Sequence, residues 1–222
     1  IPIAAPLSNH LGFPVFLGND ANLAVLAEHT YGAGIGVDNM VYVTVSTGVG
    51  GGVLVGGELL LGHTGNAGEV GHMTVDVHGH LHHCGNIGCV EMYASGTGIA
   101  HYVSHALAKG RSSALRRLFD SSSNITARDV VEAARLNDGL AIEALDQAIE
   151  ALAAGLLSLI HVLNPELIVI GGGVANAGDI LFGPLRTIVN QRALPGFKEN
   201  LRIEPWTLGE NVGILGAVEW AR

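Results

Sequence analysis

Met40–Leu61, MVYVTVSTGVGGGVLVGGELLL, reads as an antiparallel meander. Met40–Ser46 is dense in β-branched and aromatic residues, as a strand requires. An STGVG turn follows, and Gly50–Leu54 continues as a second strand. Gly56-Gly57 marks a tight hairpin turn leading into Glu58–Leu61. Working upstream, Phe13–Leu17 reads as a short apolar strand. Ala21–Tyr31 has Leu23, Leu26 and Ala27 at helical spacing and ends at Gly32, Gly34 and Gly36. Working downstream, Val90–Lys109 reads as two helices broken at Gly96 and Gly98, and Ser121–Asn124 as a polar loop. Thr126 and Asp129 form the pattern of a capping box before a helix over Ala127–Leu136. A long helix over Gly139–Leu163 stops at Asn164-Pro165. A buried strand over Leu167–Ile170, a helix over Ile180–Gln191, a strand over Leu201–Ile203 and a helix over Val212–Ala221 complete the chain. This alternation places the protein in the α/β class.

The composition allows a large core and disfavours some partners. Of 222 residues, 48% are hydrophobic and only 14% charged, so apolar surface is plentiful. The net charge of −9 argues against nucleic-acid binding through this segment, because phosphate contacts need clustered Lys and Arg. Ala151–Leu163, the longest apolar stretch, contains Gly155, Ser158 and His161 and reads as a buried helix too short to span a bilayer. IPIAAPLSNHLG at the start has no basic region and no long apolar run, so no signal peptide is expected. Cys84 and Cys89 lie five positions apart in a Gly-rich turn. They suit a reduced, cytoplasmic metal site better than a disulfide closing so short a loop.

Chemistry concentrates in Gly68–Glu91, GEVGHMTVDVHGHLHHCGNIGCVE. His72, His82, Cys84 and Cys89 offer nitrogen and sulfur ligands in the number tetrahedral zinc takes. His78, His80 and His83 are nearby alternatives. Glu69 and Glu91 flank the ligands and are free to hold a polar molecule. Elsewhere, Asn19-Asp20-Ala21-Asn22 follows a strand and opens a helix. Asp20 there is either a helix cap or a general base at the end of a strand. Ser46–Gly52 is either a Gly-rich turn or a phosphate loop with Thr47 as donor. Gly171-Gly172-Gly173, between a strand and a helix, suits nucleotide contact or a tight turn.

Taken in order, these segments resemble the ROK family of bacterial sugar kinases, related open reading frames and sugar-responsive repressors. LGFPVFLGNDANLAVLAE resembles its catalytic-Asp segment and VSTGVGGGVLVGGELLLG its second phosphate loop. GHTGNAGEVGHMTV and HHCGNIGCVE resemble the sugar and zinc segments, and IVIGGGVA and LGENVGILGA the adenosine segment and C-terminal helix. The resemblance implies an actin-like, hexokinase-like ATPase fold with a ribonuclease H-like lobe. It implies Asp20 as base toward a sugar hydroxyl, with Asn19 beside it. Glu69, His72 and Glu91 would bind the hexose, Thr47 and Gly48 the transferred phosphate, and Gly172 and Gly173 the adenosine. His72, His82, Cys84 and Cys89 would hold a structural zinc, with His72 presenting its other nitrogen to the sugar. ATP with Mg²⁺ is the implied donor, with polyphosphate an alternative, and glucose, mannose and N-acetylated hexosamines share the hydroxyls recognised.

Two departures stand out. The family's zinc pattern is CxCGxxGCxE, and here His82 stands at the first Cys. The family also carries an N-terminal lobe of about a hundred residues with a DxGxT loop, and nothing in this sequence matches it. The chain is therefore expected to be the C-terminal lobe, residues 1–222 with a zinc knuckle over 72–91, and nearly inactive alone. A sugar-responsive repressor is the alternative reading of the whole protein, and a non-catalytic assembly module a third. The apolar helices near Ala141–Leu163 suit a homodimer interface as well as a monomer core.

Overall fold

Neighbouring residues of two central strands point to opposite sides, and both sides are covered by helices. The structure is a computed structural model and describes residues 2–120 and 124–222. In chain order the elements are α1 (Ala4–Leu11), α2 (Asp20–Tyr31), β1 (Met40–Val45), β2 (Val49–Val55), β3 (Glu58–Leu59), α3 (Val90–Ala94), α4 (Gly96–Ala108), α5 (Arg116–Asp120), α6 (Ala127–Arg135), α7 (Gly139–Leu163), β4 (Leu167–Gly171), α8 (Asp179–Arg192), α9 (Pro195–Lys198), β5 (Arg202–Pro205) and α10 (Val212–Trp220). The strands form one sheet in the order β3-β2-β1-β4-β5. β1–β2 and β2–β3 pair antiparallel, while β1–β4 and β4–β5 pair parallel.

Period-two alternation divides the core into two layers. Met40, Tyr42, Leu167 and Val169 face α2 and α10 with Ala24, Val25 and Val212. Val41, Val43, Val45, Ile168 and Ile170 face the other way, onto a larger layer that includes α4, α6, α7 and α8. α7 is the centre of that layer. Leu140, Leu145, Ile149, Leu152, Leu156 and Ile160 are among its buried residues, and each such side chain contributes about 1.5–3 kcal/mol of transfer free energy. The stretch Ala151–Leu163 is thus the second half of a 25-residue helix, long and apolar enough to cross a bilayer, with 56% of its most apolar window buried inside the protein. The whole helix passes by length and composition alone, and its buried residues agree with the expected buried helix.

The three consecutive glycines Gly50, Gly51 and Gly52 lie inside β2 rather than in a turn. A side chain at Gly52 would sit 2.4 Å from the Ala21 carbonyl of α2, and one at Gly51 would sit 2.8 Å from Val70 on the opposite face. The glycine run lets helix α2 and the Glu69–His72 turn close on one strand from both sides.

Most expected elements agree with the structure within two residues, including the capping box at Thr126 and Asp129. Two do not. Phe13–Leu17 forms no strand. Phe13, Phe16 and Leu17 are more than half exposed, and no described strand runs beside them to complete a ladder. The break between α3 and α4 falls at Ser95, not at Gly96 and Gly98. The Ser95 side chain accepts a hydrogen bond from the Gly98 amide, so both glycines become the first turn of α4. The polar loop expected over Ser121–Asn124 lies, for 121–123, outside the described residues.

Candidate functional site

Because β1 and β4 are parallel neighbours with Thr44 opposite Gly171, their C-terminal ends emerge side by side. This is where α/β sheets bind ligands. Ser46 and Thr47 leave β1 there, Gly172 and Gly173 leave β4, and α2 begins beside them. One cleft, about 650 Å³, is lined by Asp20, Tyr42, Ser46, Gly172, Gly173 and Trp206 among others. A second, about 1070 Å³, is lined by Thr47, Thr97, His101, Arg128, Gly173 and Asn176 among others. Ser46, Gly173 and Asn176 border both, so the two clefts share one rim.

Asn19, not Asp20, caps α2. The Asn19 Oδ1 accepts hydrogen bonds from the amides of Ala21 at 3.0 Å and Asn22 at 3.2 Å. That leaves the Asp20 carboxylate exposed in the cleft, with a 2.9 Å contact to the Ala21 amide as its one hydrogen bond among the described residues. Gly172 has φ +86°, and a side chain there would meet the Val45 carbonyl at 2.5 Å, whereas Gly173 faces open space in both clefts.

The segment from His72 to Glu91 folds into a knuckle held by its own backbone. Thr74 pairs with Cys89 and Leu81 with Ile87. Asn86 ties the layers together, donating to the His72 carbonyl at 2.8 Å and to Thr74 Oγ1 at 3.0 Å, while its carbonyl accepts from the His82 amide at 2.7 Å. The result brings ligand atoms of His72, His82, Cys84 and Cys89 within 4.8 Å of one another.

This donor set fits a metal. The two sulfurs are 3.7 Å apart, close to the edge of about 3.8 Å that ~2.3 Å zinc–sulfur bonds give a tetrahedron. His82 Nδ1 lies 3.1 Å from Cys84 Sγ. His72 Nδ1 is buried without a hydrogen-bond partner, a costly state for a polar atom unless something else satisfies it. Burial, and then the neighbouring His83, hold His82 below its ordinary value, which favours the neutral imidazole. Burial first, and then Cys84, push the Cys89 thiol up to about 11. His82, His83 and Glu91 also converge, but that trio has no thiolate and is exposed at His83.

Glu91 joins the knuckle to the turn between β1 and β2. Its Oε2 accepts the Val49 amide at 2.8 Å, and its Oε1 lies 3.2 Å from His82 Nε2. A side chain at Gly48 would fall 2.4 Å from that same Oε2. Glu69 lies on the opposite side of His72, 3.8 Å from its Nε2. His72 thus keeps Nδ1 buried while Nε2 lies toward Glu69. The glycine run of β2 lies between the start of α2, which bears Asp20, and the turn that bears Glu69 and His72.

Sequence reasoning missed Asn86, which orders the knuckle, and the α4 and α6 wall of the larger cleft. Thr97, His101 and Arg128 carry no local motif. The small residues Ser95–Gly98 were the available signal, and they read as a helix break.

The whole chain, residues 1–222, matches the model of the ROK family. It is 41% identical to the glucokinase of Thermotoga maritima, over 98% of this chain and 68% of that protein. It is 29% identical to the xylose repressor of Bacillus subtilis, over 97% of this chain and 52% of the repressor. Among solved structures, a ROK family transcriptional regulator homologous to the E. coli MLC protein aligns with a TM-score of 0.86 at 32% identity, covering 97% of this chain and 54% of the other. A glucokinase of Streptomyces griseus, in complex with glucose and AMPPNP, aligns with a TM-score of 0.82 at 31% identity, covering 99% and 72%. The chain thus spans about half to seven-tenths of the length of these relatives. The fold is that of the actin-like, hexokinase-like ATPases, and the chain belongs to the ROK family.

Proposed function

We propose that residues 1–222 form the C-terminal lobe of an ATP-dependent hexose kinase of the glucokinase type. The observation that carries this reading is Asp20: Asn19 performs the capping, and the exposed carboxylate stands in the cleft at the ends of β1 and β4. In the reaction, a hexose hydroxyl gives its proton to Asp20 as its oxygen bonds to the γ-phosphorus of ATP. The bond from that phosphorus to the bridging oxygen breaks, and ADP leaves. Asn19, Glu69, the outward Nε2 of His72, and Glu91 hold the sugar. Thr47 and Gly48 face the transferred phosphoryl group, and Gly172 and Gly173 the nucleotide, Gly173 from the rim that the two clefts share. Mg²⁺ would neutralise phosphate charge. Zinc held by His72, His82, Cys84 and Cys89 would fix the sugar-binding face of the knuckle. Two free thiols suit a reducing, cytoplasmic setting.

Asp20→Asn in the whole protein tests the reading. Turnover should fall by at least about a hundredfold with sugar affinity nearly unchanged. Equal loss of both would make Asp20 a structural residue and sink the proposal. The structural likeness of 0.86 to a transcriptional regulator supports a second reading, a sugar-sensing repressor. In that case the whole protein would bind DNA in a sugar-dependent way, and Asp20→Asn would leave that response intact.

A further inference from the structure

His82 has two nitrogens, and the structure gives each a different partner. Nδ1 lies 3.1 Å from Cys84 Sγ inside the sulfur cluster, and Nε2 lies 3.2 Å from Glu91 Oε1. The other oxygen of Glu91 accepts the Val49 amide at 2.8 Å, at the first residue of β2 and next to Gly48. His82 is buried, and the Glu91 carboxylate is 19% exposed, so the chain of contacts is largely shielded from water.

We infer that His82 is a positioning residue that couples metal occupancy of the knuckle to the Thr47–Val49 turn through Glu91. The inference rests on the metal reading of the knuckle proposed above. A cation bound at Nδ1 fixes the tautomer: Nδ1 carries no proton, and Nε2–H donates to Glu91. Without the cation, the proton can sit on Nδ1 instead, facing Cys84, and Nε2 then presents a lone pair to a carboxylate. The tie to Glu91 is lost, and the carboxylate is held by Val49 alone. A cysteine at position 82 would supply a thiolate to the metal but has no second polar atom to reach Glu91. The histidine therefore adds a link that a third sulfur ligand would lack. The link ends on the amide beside the residue proposed to face the transferred phosphoryl group, and it restrains the carboxylate proposed to hold the sugar.

The test follows the Val49 amide by NMR in the 222-residue chain, stripped of metal and then titrated with Zn²⁺. Zinc should slow hydrogen exchange at Val49 by roughly tenfold or more and shift its resonance. His82→Cys should still bind zinc, yet leave Val49 exchange unchanged on metal addition. Glu91→Gln should weaken zinc binding by about tenfold to a hundredfold, the usual consequence of removing a ligand's carboxylate partner. If zinc binds the unaltered chain and Val49 does not respond, the coupling is wrong while the metal reading stands. That measurement needs no variant, so it decides the matter even if His82→Cys fails to fold. An equal Val49 response in a folded His82→Cys would also overturn it. If no zinc binds the unaltered chain, both the metal reading and the coupling fall.

Discussion

Glu28 and Glu91 are both carboxylates that capture backbone amides from distant segments, yet they end in different states. Glu28, near the end of α2, is fully buried. Its Oε1 accepts the amides of Thr207 at 2.9 Å and Leu208 at 3.0 Å. Its Oε2 accepts the Ala33 amide at 2.8 Å and the Thr207 hydroxyl at 2.9 Å. Four protein donors satisfy it, and it staples α2 to the loop before α10. Glu91 is partly exposed and receives one backbone amide and one histidine. Beyond that histidine lie two thiols and the orphaned His72 Nδ1. The first junction is closed by the chain itself, and the second ends at a buried nitrogen that no protein group satisfies. The difference is one of closure: one carboxylate, fully satisfied, holds the helix bearing Asp20, and the other keeps part of its surface open to solvent.

The comparison can be broken at several points, the largest effect first. Glu28→Ala should destabilise the chain by roughly 4 kcal/mol, because several buried donors lose their acceptor at once. Denaturant unfolding measures it, and a loss below 1 kcal/mol would show that water replaces the carboxylate. Zinc at about a hundred times its dissociation constant should add about 2.7 kcal/mol, a rise of roughly 5–10 °C in unfolding midpoint for a chain of this size. Cys84→Ser should remove most of that rise. An undiminished rise would put the metal elsewhere. Gly48→Ala should push Glu91 off Val49, since the new methyl would lie 2.4 Å from Oε2. The expected cost is about 1–2 kcal/mol, with faster exchange at Val49 and none of the change at Thr207 that Glu28→Ala produces.

The smallest effect is a control outside both junctions. Arg111, and then Tyr102, hold the Glu143 carboxyl at about 2, well below its ordinary 4.5. A depressed carboxyl contributes stability above its unfolded value and loses it as pH falls through the folded one. The contribution should therefore fade between pH 4.5 and about 2. The pair is exposed, so the effect is small. Thermal midpoints across that window should fall less for Arg111→Ala than for the parent chain. An equal fall would show that the ion pair adds nothing.

Local periodicity was enough for most elements. The 25-residue α7 and the Thr126 capping box depend on contacts within a few residues, and the β1–β2–β3 meander on pairings between consecutive segments, all written in residue order. Phe13–Leu17 misleads because a strand is a relation between segments, and an apolar run does not name its partner. Ser95–Gly98 misleads because a serine cap overrides the breaking tendency of two glycines.

The site divides the same way. By residue type and spacing alone, the sequence determined the α/β class, the nitrogen and sulfur donors that His72, His82, Cys84 and Cys89 offer, and Asp20 at the head of a helix. Only the tertiary structure decided that Asn19 takes the cap, that the Gly50–Gly52 run is pressed from both faces, and that His82 divides its nitrogens between Cys84 and Glu91. Ligand chemistry belongs to single side chains and can be read one residue at a time. Orientation and close approach arise when segments far apart in sequence pack against one strand, and no local pattern carries that information.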